Sequence, residues 1–265
     1  MQGSEEVLLG GNMNAPIRKD QLIYKEATAG SQNIHELLTY VRMRGIDWAP
    51  ESLGINSEGK HVLTYIEGEV PHDTPHWLWE EEILWEVARK LRQWHDATTE
   101  FDKKGNWLLV NDEVPEVICH NDFAPYNCVF QDRKLVGVID FDVCSPGSRL
   151  WDIAYTTYRF IPILPAQPID ASGDVSPFSY EMMLDRLEGF LREYSKGEAA
   201  YLYHIEEVLA KVVKRLRVLA EWSKNYGLQT KREELVRHAG MYEQHAAWLT
   251  EMDHCDLETE RSDML

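Results

Sequence analysis

The sequence predicts an α+β chain in two lobes, a small strand-rich part over residues 1–66 and a larger, mainly helical part over 67–265. Three observations carry this. Short apolar runs bounded by turn residues fill the first part, with one amphipathic helix between them. Two short β-branched runs near the middle each end in polar loop residues. Long segments with apolar residues at helical spacing fill the end.

Val7–Leu9 and Leu22–Lys25 flank a polar turn containing Gly10, Gly11 and Asn14. Ser31 is suited to cap a helix that runs to about Arg44 and stops at Gly45, with Ile34, Leu37, Leu38 and Val41 on one face. Glu51–Asn56 and His61–Ile66 form a hairpin with its turn at Ser57–Lys60. Leu84, Val87, Ala88, Leu91 and His95 mark one face of a helix to about Ala97, and Val114–Cys119 and Val136–Phe141 are short strand candidates. Pro162–Pro177 is rich in turn residues. Tyr180–Tyr194, Tyr201–Tyr226 and Lys231–Leu249 are helical, and the polar tail after Asp253 is expected to fray.

Composition limits what the chain does. A net charge of −18 argues against a nucleic-acid partner, since such binding rests on clustered Lys and Arg, and it suits a cationic ligand as well as plain solubility. No apolar run is long enough to span a bilayer, so no membrane partner is expected. The segment Met1–Gly11 carries Glu5 and Glu6 without a basic start or a long apolar stretch, which leaves a cytoplasmic location as the expectation. Cys119, Cys128, Cys144 and Cys255 form no CxxC pair and are expected to be free thiols, small apolar groups beside strands.

The informative stretch runs from Val117 to Asp142. An apolar run delivers His120 and Asp122 into a loop in which Pro125 forbids a regular helix, and Asn127 follows. After a short turn, a second apolar run delivers Asp140. Asn127 and Asp140 thus stand at the edges of adjacent strands as hard oxygen donors of the kind Mg²⁺ accepts. Asp122, one loop away, is placed to accept a proton from an attacking hydroxyl. That division of labour is what phosphoryl transfer needs. A metal hydrolase built on an HxD pair would need further His or carboxylate ligands, and no second HxH or HxxxH cluster lies nearby.

His120-Asn-Asp122, Asn127 and Ile139-Asp140-Phe141 resemble the catalytic and metal segments of the aminoglycoside phosphotransferase family, within the protein-kinase-like superfamily. Gly147–Ala154, with Asp152, resembles the helix start that follows the metal motif there. Val62–Gly68 resembles the inter-lobe linker, and Leu91–His95 the helix ending before the catalytic loop. The resemblance implies a kinase-like fold with Asp122 as catalytic base, Asn127 and Asp140 as Mg²⁺ ligands, and His120 and Asp152 as braces. It also implies ATP or GTP as donor, with Lys25 on the α- and β-phosphates, Glu36 as its helix partner, Gly10 and Gly11 in the phosphate-covering turn, and the backbone of Tyr65 and Ile66 against the base. Asp142 is a further candidate carboxylate. The chain departs from the family in a short first lobe and in Asn121, where Gly is usual. The short lobe and its Leu-Leu-Gly-Gly-Asn start are loosely similar to trifolitoxin-immunity-type proteins.

The acceptor is expected to be a small hydroxyl-bearing molecule, cationic if Tyr155, Tyr158, Trp222 and Tyr226 with Glu206, Glu207 and Glu221 form its seat. The alternative for those residues is helix core and solvated helix face. The alternative for the whole chain is a weakly active or inactive kinase-fold protein that sequesters an antibiotic or peptide.

Overall fold

The computed structural model describes residues 5–7, 16–71, 74–165, 175–198 and 200–263. It divides into two compact units, Met1–Asp152 and Ile153–Leu265, a division that differs from the lobe boundary expected at residue 66.

The first unit opens with a five-stranded antiparallel sheet in the order β1-β2-β3-β5-β4, made of Glu5–Val7, Ile17–Lys19, Leu22–Glu26, Lys60–Thr64 and Ser52–Ile55 respectively. Strand β2 was not legible in the sequence, because Ile17-Arg-Lys19 has a single apolar residue. The β4–β5 hairpin turns on Asn56, whose Oδ1 accepts from the backbone N–H of Glu58 and of Lys60. Helix α1 (Ser31–Arg42) buries Ile34, Leu37, Leu38 and Val41, and the chain leaves it through Gly45 at φ +86°. Ser31 does not cap it. Gly30 holds that position, while the Ser31 hydroxyl turns back to accept from the Thr28 N–H at 2.8 Å.

Helix α2 (Glu81–Thr98) presents the expected face, with Leu84, Val87, Ala88, Leu91 and His95 all buried. Its Trp94 indole donates to the Ile118 carbonyl at 2.7 Å, which fixes the helix against β6 (Val117–Cys119). Strand β6 pairs with β9 (Ser145–Gly147), and β7 (Cys128–Gln131) pairs with β8 (Lys134–Val138). Two close approaches seat the β7–β8 hairpin under the linker segment. Any Cβ on Gly137 would lie 2.8 Å from Ile66, and one on Gly68 would lie 2.6 Å from the Phe130 carbonyl. The linker is stitched down there, Glu69 and Phe130 exchanging backbone hydrogen bonds of 2.8 Å in both directions.

Helix α3 (Arg149–Phe160) begins in the first unit. The second holds α4 (Tyr180–Tyr194), α5 (Ile205–Thr230) and α6 (Glu233–Asp263). Helix α5 buries Val208, Leu209, Val212 and Leu216, and α6 buries Leu235, Ala239, Ala246 and Leu249. The start of α5 is a capping box, His204 against the N–H of the third helical residue and Glu207 back onto the His204 N–H. The tail expected to fray after Asp253 is instead helical to Asp263.

Candidate active site

The site gathers within the first unit. Strand β6 is fully buried and carries the chain directly into His120. The loop that follows is held by Asp152 at the start of α3. This carboxylate is fully buried and accepts from the backbone N–H of His120 at 2.7 Å, the N–H of Asn121 at 2.8 Å and His95 Nε2 at 3.2 Å. Burial alone would raise its pKa, but these donors win and hold it below the ordinary value of 3.8. Burial pushes His95 below its ordinary 6.5 against the pull of Asp152, so His95 is neutral near pH 7 and donates through Nε2.

Asn121 departs from the usual glycine for a geometric reason that the structure makes plain. Its φ is +66°, in the left-handed region that glycine enters freely and that Asn tolerates best among the other residues. The side chain then secures the conformation. Its Nδ2 donates to the Val143 carbonyl at 2.9 Å and to Ser145 Oγ at 2.8 Å, binding this loop to the segment after Asp140. Asp140 is also left-handed, at φ +64°, a strained state of the kind concentrated at functional sites. The His120 ring packs 4.7 Å from the Phe141 ring and 5.6 Å from Phe123, bracing the two loops.

The β7–β8 pairing brings the metal candidates together. Cys128 faces Val138, and the next N–H, that of Ile139, donates to the Asn127 carbonyl at 2.9 Å. Asn127 and Asp140 therefore sit at one end of one hairpin. Asn127 Nδ2 donates to both the backbone carbonyl and Oδ2 of Asp122, at 2.9 and 2.8 Å. That leaves its Oδ1 as the atom to meet a cation. Two oxygen donors suit Mg²⁺, which takes few protein ligands and completes its shell with phosphate and water. Among the described residues there is no cluster of three or more His, Cys, Asp or Glu arranged for a metal.

Asp122 is half-buried, with both carboxylate oxygens engaged. Asn127 takes Oδ2, and the Tyr126 phenol donates to Oδ1 at 2.6 Å. Burial raises its pKa above 3.8, with the Tyr126 and Asn127 hydrogen bonds pulling the other way.

Lys25, on β3, reaches into this loop. Its Nζ lies 2.7 Å from Asp140 Oδ1 and 2.6 Å from Asp142 Oδ2. Burial works to lower its pKa, but the two carboxylates outweigh it and the ammonium is held above 10.5. Asp142 lies in a single 3₁₀ turn over Phe141–Val143, the strand expected over Val136–Phe141 ending instead at Val138. Glu36 is not brought to Lys25. It lies on the exposed side of α1 and accepts from Gln32 Nε2 at 2.8 Å. The helix residue that turns inward is its neighbour His35, whose Nδ1 is 2.9 Å from Ser52 Oγ, itself 2.7 Å from His61 Nε2. His61 pairs with Lys25 across β3 and β5. This His–Ser–His chain left no mark in the sequence, because its members are spread over three elements.

The linker residues Tyr65 and Ile66 lie beside the sheet. The Tyr65 N–H donates to the Gln21 carbonyl at 2.8 Å, and the Arg18 guanidinium stacks 3.6 Å above the Tyr65 ring. Gly10 and Gly11 fall outside the described residues. In the second unit the acceptor candidates separate. Tyr155 and Tyr158 are buried, the Tyr158 hydroxyl lying 2.9 Å from His245 Nδ1. Trp222 is exposed and stacked on Tyr226, 5.2 Å apart, beside Glu221. Glu207 is spent on its helix cap.

The fold is protein-kinase-like. Residues 61–176 match the model of the phosphotransferase enzyme family, a span that includes Asp122, Asn127, Asp140 and Asp152. The chain is 33% identical over 150 residues to the trifolitoxin immunity protein of Rhizobium leguminosarum bv. trifolii, covering 54% of this chain and 56% of that one, so it spans about half the length of this curated relative. Among solved structures it is similar to a choline/ethanolamine kinase family protein of Mesorhizobium loti, with TM-score 0.60 and 15% identity over 94% of this chain and 88% of that one. It is equally similar to the GDP complex of an aminoglycoside 2'-phosphotransferase, with TM-score 0.60 and 12% identity over 93% of each chain. Identity this low carries the fold alone. Among the described residues no helix is long and apolar enough to cross a membrane.

Proposed function

We propose that this chain is a small-molecule phosphotransferase that moves the γ-phosphoryl group of ATP or GTP to a hydroxyl of its acceptor. The observation that supports this most is the meeting of Lys25 with Asp140, from opposite ends of the first unit, beside the Asp122–Asn127 pair. In this reading Lys25 leaves Asp140 to hold nucleotide phosphates while keeping its contact with Asp142. Asn127 Oδ1 and Asp140 hold Mg²⁺, which when bound neutralises charge on the β- and γ-phosphates. Asp122 orients the acceptor hydroxyl and takes its proton, a role that its raised pKa improves by bringing it closer to working pH. Asp142 replaces Glu36 as the carboxylate that steadies Lys25. Asp152 keeps the loop in shape. The backbone of Tyr65 and Ile66 meets the base, and the turn at Gly10 and Gly11 covers the phosphates. The acidic chain suits a cationic acceptor.

The testing experiment is thermal stabilisation by ATP and by GTP, each with and without Mg²⁺, on the wild type and on Asp140→Ala. A nucleotide at about 100 times its dissociation constant adds about 2.7 kcal/mol to stability. The expected result is an Mg²⁺-dependent shift that Asp140→Ala loses. No shift with either nucleotide at millimolar concentration overturns the proposal.

A second reading is a binding or immunity protein that sequesters its ligand without turnover. The similarity to the trifolitoxin immunity protein favours it. Protection of cells that persists in an Asp122→Ala strain is the result it demands.

A further inference from the structure

The loop that carries Asp122 and Asn127 also carries a hydroxyl of its own. Tyr126 lies in the single 3₁₀ turn Pro125–Asn127, between two buried residues, and is itself only half-buried. Its phenol donates to Asp122 Oδ1 at 2.6 Å, while the other oxygen of the same carboxylate accepts from Asn127 Nδ2 at 2.8 Å. An acceptor hydroxyl about to be phosphorylated must make the contact that Tyr126 makes, an O–H donated to this carboxylate at hydrogen-bond distance. With Oδ2 held by Asn127, Oδ1 is the place for it.

We propose that the Tyr126 phenol is a stand-in for the acceptor hydroxyl, holding Asp122 in its working orientation and keeping water off it until an acceptor displaces the ring. The proposal rests on the phosphotransferase reading above and deepens it by naming a residue that governs access to the base.

The backbone around Tyr126 supports an exchangeable ring on a fixed loop. The Asn127 N–H donates to the Ala124 carbonyl and the Ile139 N–H to the Asn127 carbonyl, both at 2.9 Å. These bonds hold the loop without using the Tyr126 side chain, so a rotamer change there leaves them in place. A stand-in of this kind answers a problem common to enzymes that activate hydroxyls. Water is always present and smaller than any acceptor. If water took the Oδ1 position, its oxygen would form the new bond to the γ-phosphorus and its proton would pass to Asp122. The bond from phosphorus to the β–γ bridging oxygen would break, the nucleoside diphosphate leaving with the electron pair. The nucleotide would be consumed with orthophosphate as product. A phenol at Oδ1 excludes that water.

The test is orthophosphate release from Mg–ATP and Mg–GTP, without acceptor, by wild type, Tyr126→Phe and the double variant Tyr126→Phe with Asp122→Asn. Phe keeps the ring and vacates only the hydroxyl. Nucleotide-induced thermal shifts on the same samples report folding and binding. The expected result is release about tenfold faster in Tyr126→Phe than in wild type, the scale of one hydrogen bond to a charged group. That gain should vanish in the double variant, and a gain of release that depends on Asp122 is one that loss of packing alone would not produce. If nucleotide binds and release is unchanged or slower in Tyr126→Phe, the stand-in role is overturned while the phosphotransferase reading survives. If neither protein binds nucleotide, both fall together.

Discussion

Asp122 and Asp152 are the same side chain in two regions of one unit, and their surroundings give them opposite characters. Asp152 is fully buried and receives two backbone N–H groups and His95, donors that cannot leave without unmaking the fold. Its pKa is lowered, and it is an anion for the sake of structure. Asp122 is half-buried and receives a phenol and a side-chain amide, donors that rotate. Its pKa is raised, burial outweighing those hydrogen bonds, as the proposed role of base requires. Burial alone does not tell a brace from a reactive group. What tells them apart is that backbone N–H groups hold Asp152, while the carboxylate of Asp122 is met by side chains.

The comparison breaks most visibly at Asp152. Asp152→Ala leaves two buried N–H groups and His95 without their acceptor, and should destabilise the fold by about 3–5 kcal/mol, read by urea unfolding. An effect under about 1 kcal/mol would show that the loop does not hang on this carboxylate. Asp122→Asn should do the reverse. Transfer should fall by about 10²–10⁴-fold, the ordinary worth of a positioned acid–base group, while stability near pH 7 holds or rises. The sign follows from the raised pKa, since the folded state disfavours the ionised form and stability gained by neutralising it is lost in the wild type as pH rises. A marked loss of stability in Asp122→Asn would put Asp122 in the same class as Asp152.

Acid sharpens the contrast. His61, His95 and His120 are all buried and held below their ordinary value of 6.5, so the unfolded chain binds more protons than the folded one once pH falls beneath 6.5. Stability should be full above that pH and decline as pH drops through the window below it, with Asp152 adding its own loss only at lower pH, beneath 3.8. Unfolding midpoints flat between pH 7 and 5 would contradict this. The smallest effect is expected at Glu36. Glu36→Ala removes an exposed contact with Gln32 and should leave stability within about 0.5 kcal/mol and nucleotide-induced shifts unchanged. A lost nucleotide shift there would restore Glu36 as the partner of Lys25.

The same contrast explains what could be read in advance. The order of elements, the buried face of α2 and the meeting of Asn127 with Asp140 were legible, because each depends on local spacing or on a short hairpin. The sequence also showed Asn121 as a departure from glycine, though not why the loop accepts it. That needed the φ of +66° and the reach of its amide to Val143 and Ser145, over 20 residues on. Glu36 misled because helical phase decides direction. The spacing that buries Leu37 and Leu38 turns His35 partly inward and Glu36 out. Tyr126 went unremarked because nothing in a tyrosine before an asparagine announces a hydrogen bond to a residue four positions back. Tyr155 and Tyr158, weighed as ligand contacts, are buried side chains, as the helix-core alternative anticipated.

Three of the four cysteines carry a practical consequence. Cys119, Cys128 and Cys144 are buried free thiols on or beside the strands that carry His120, Asn127 and Asp140, and burial pushes the Cys128 and Cys144 thiols well above their ordinary value of 9.0. In the closed molecule they are inert to alkylating reagents, and each becomes reactive only when its strand lifts. The rate at which iodoacetamide marks each one is therefore a clock, already built into the native chain, for how often that part of the site comes apart and how far a bound nucleotide slows it.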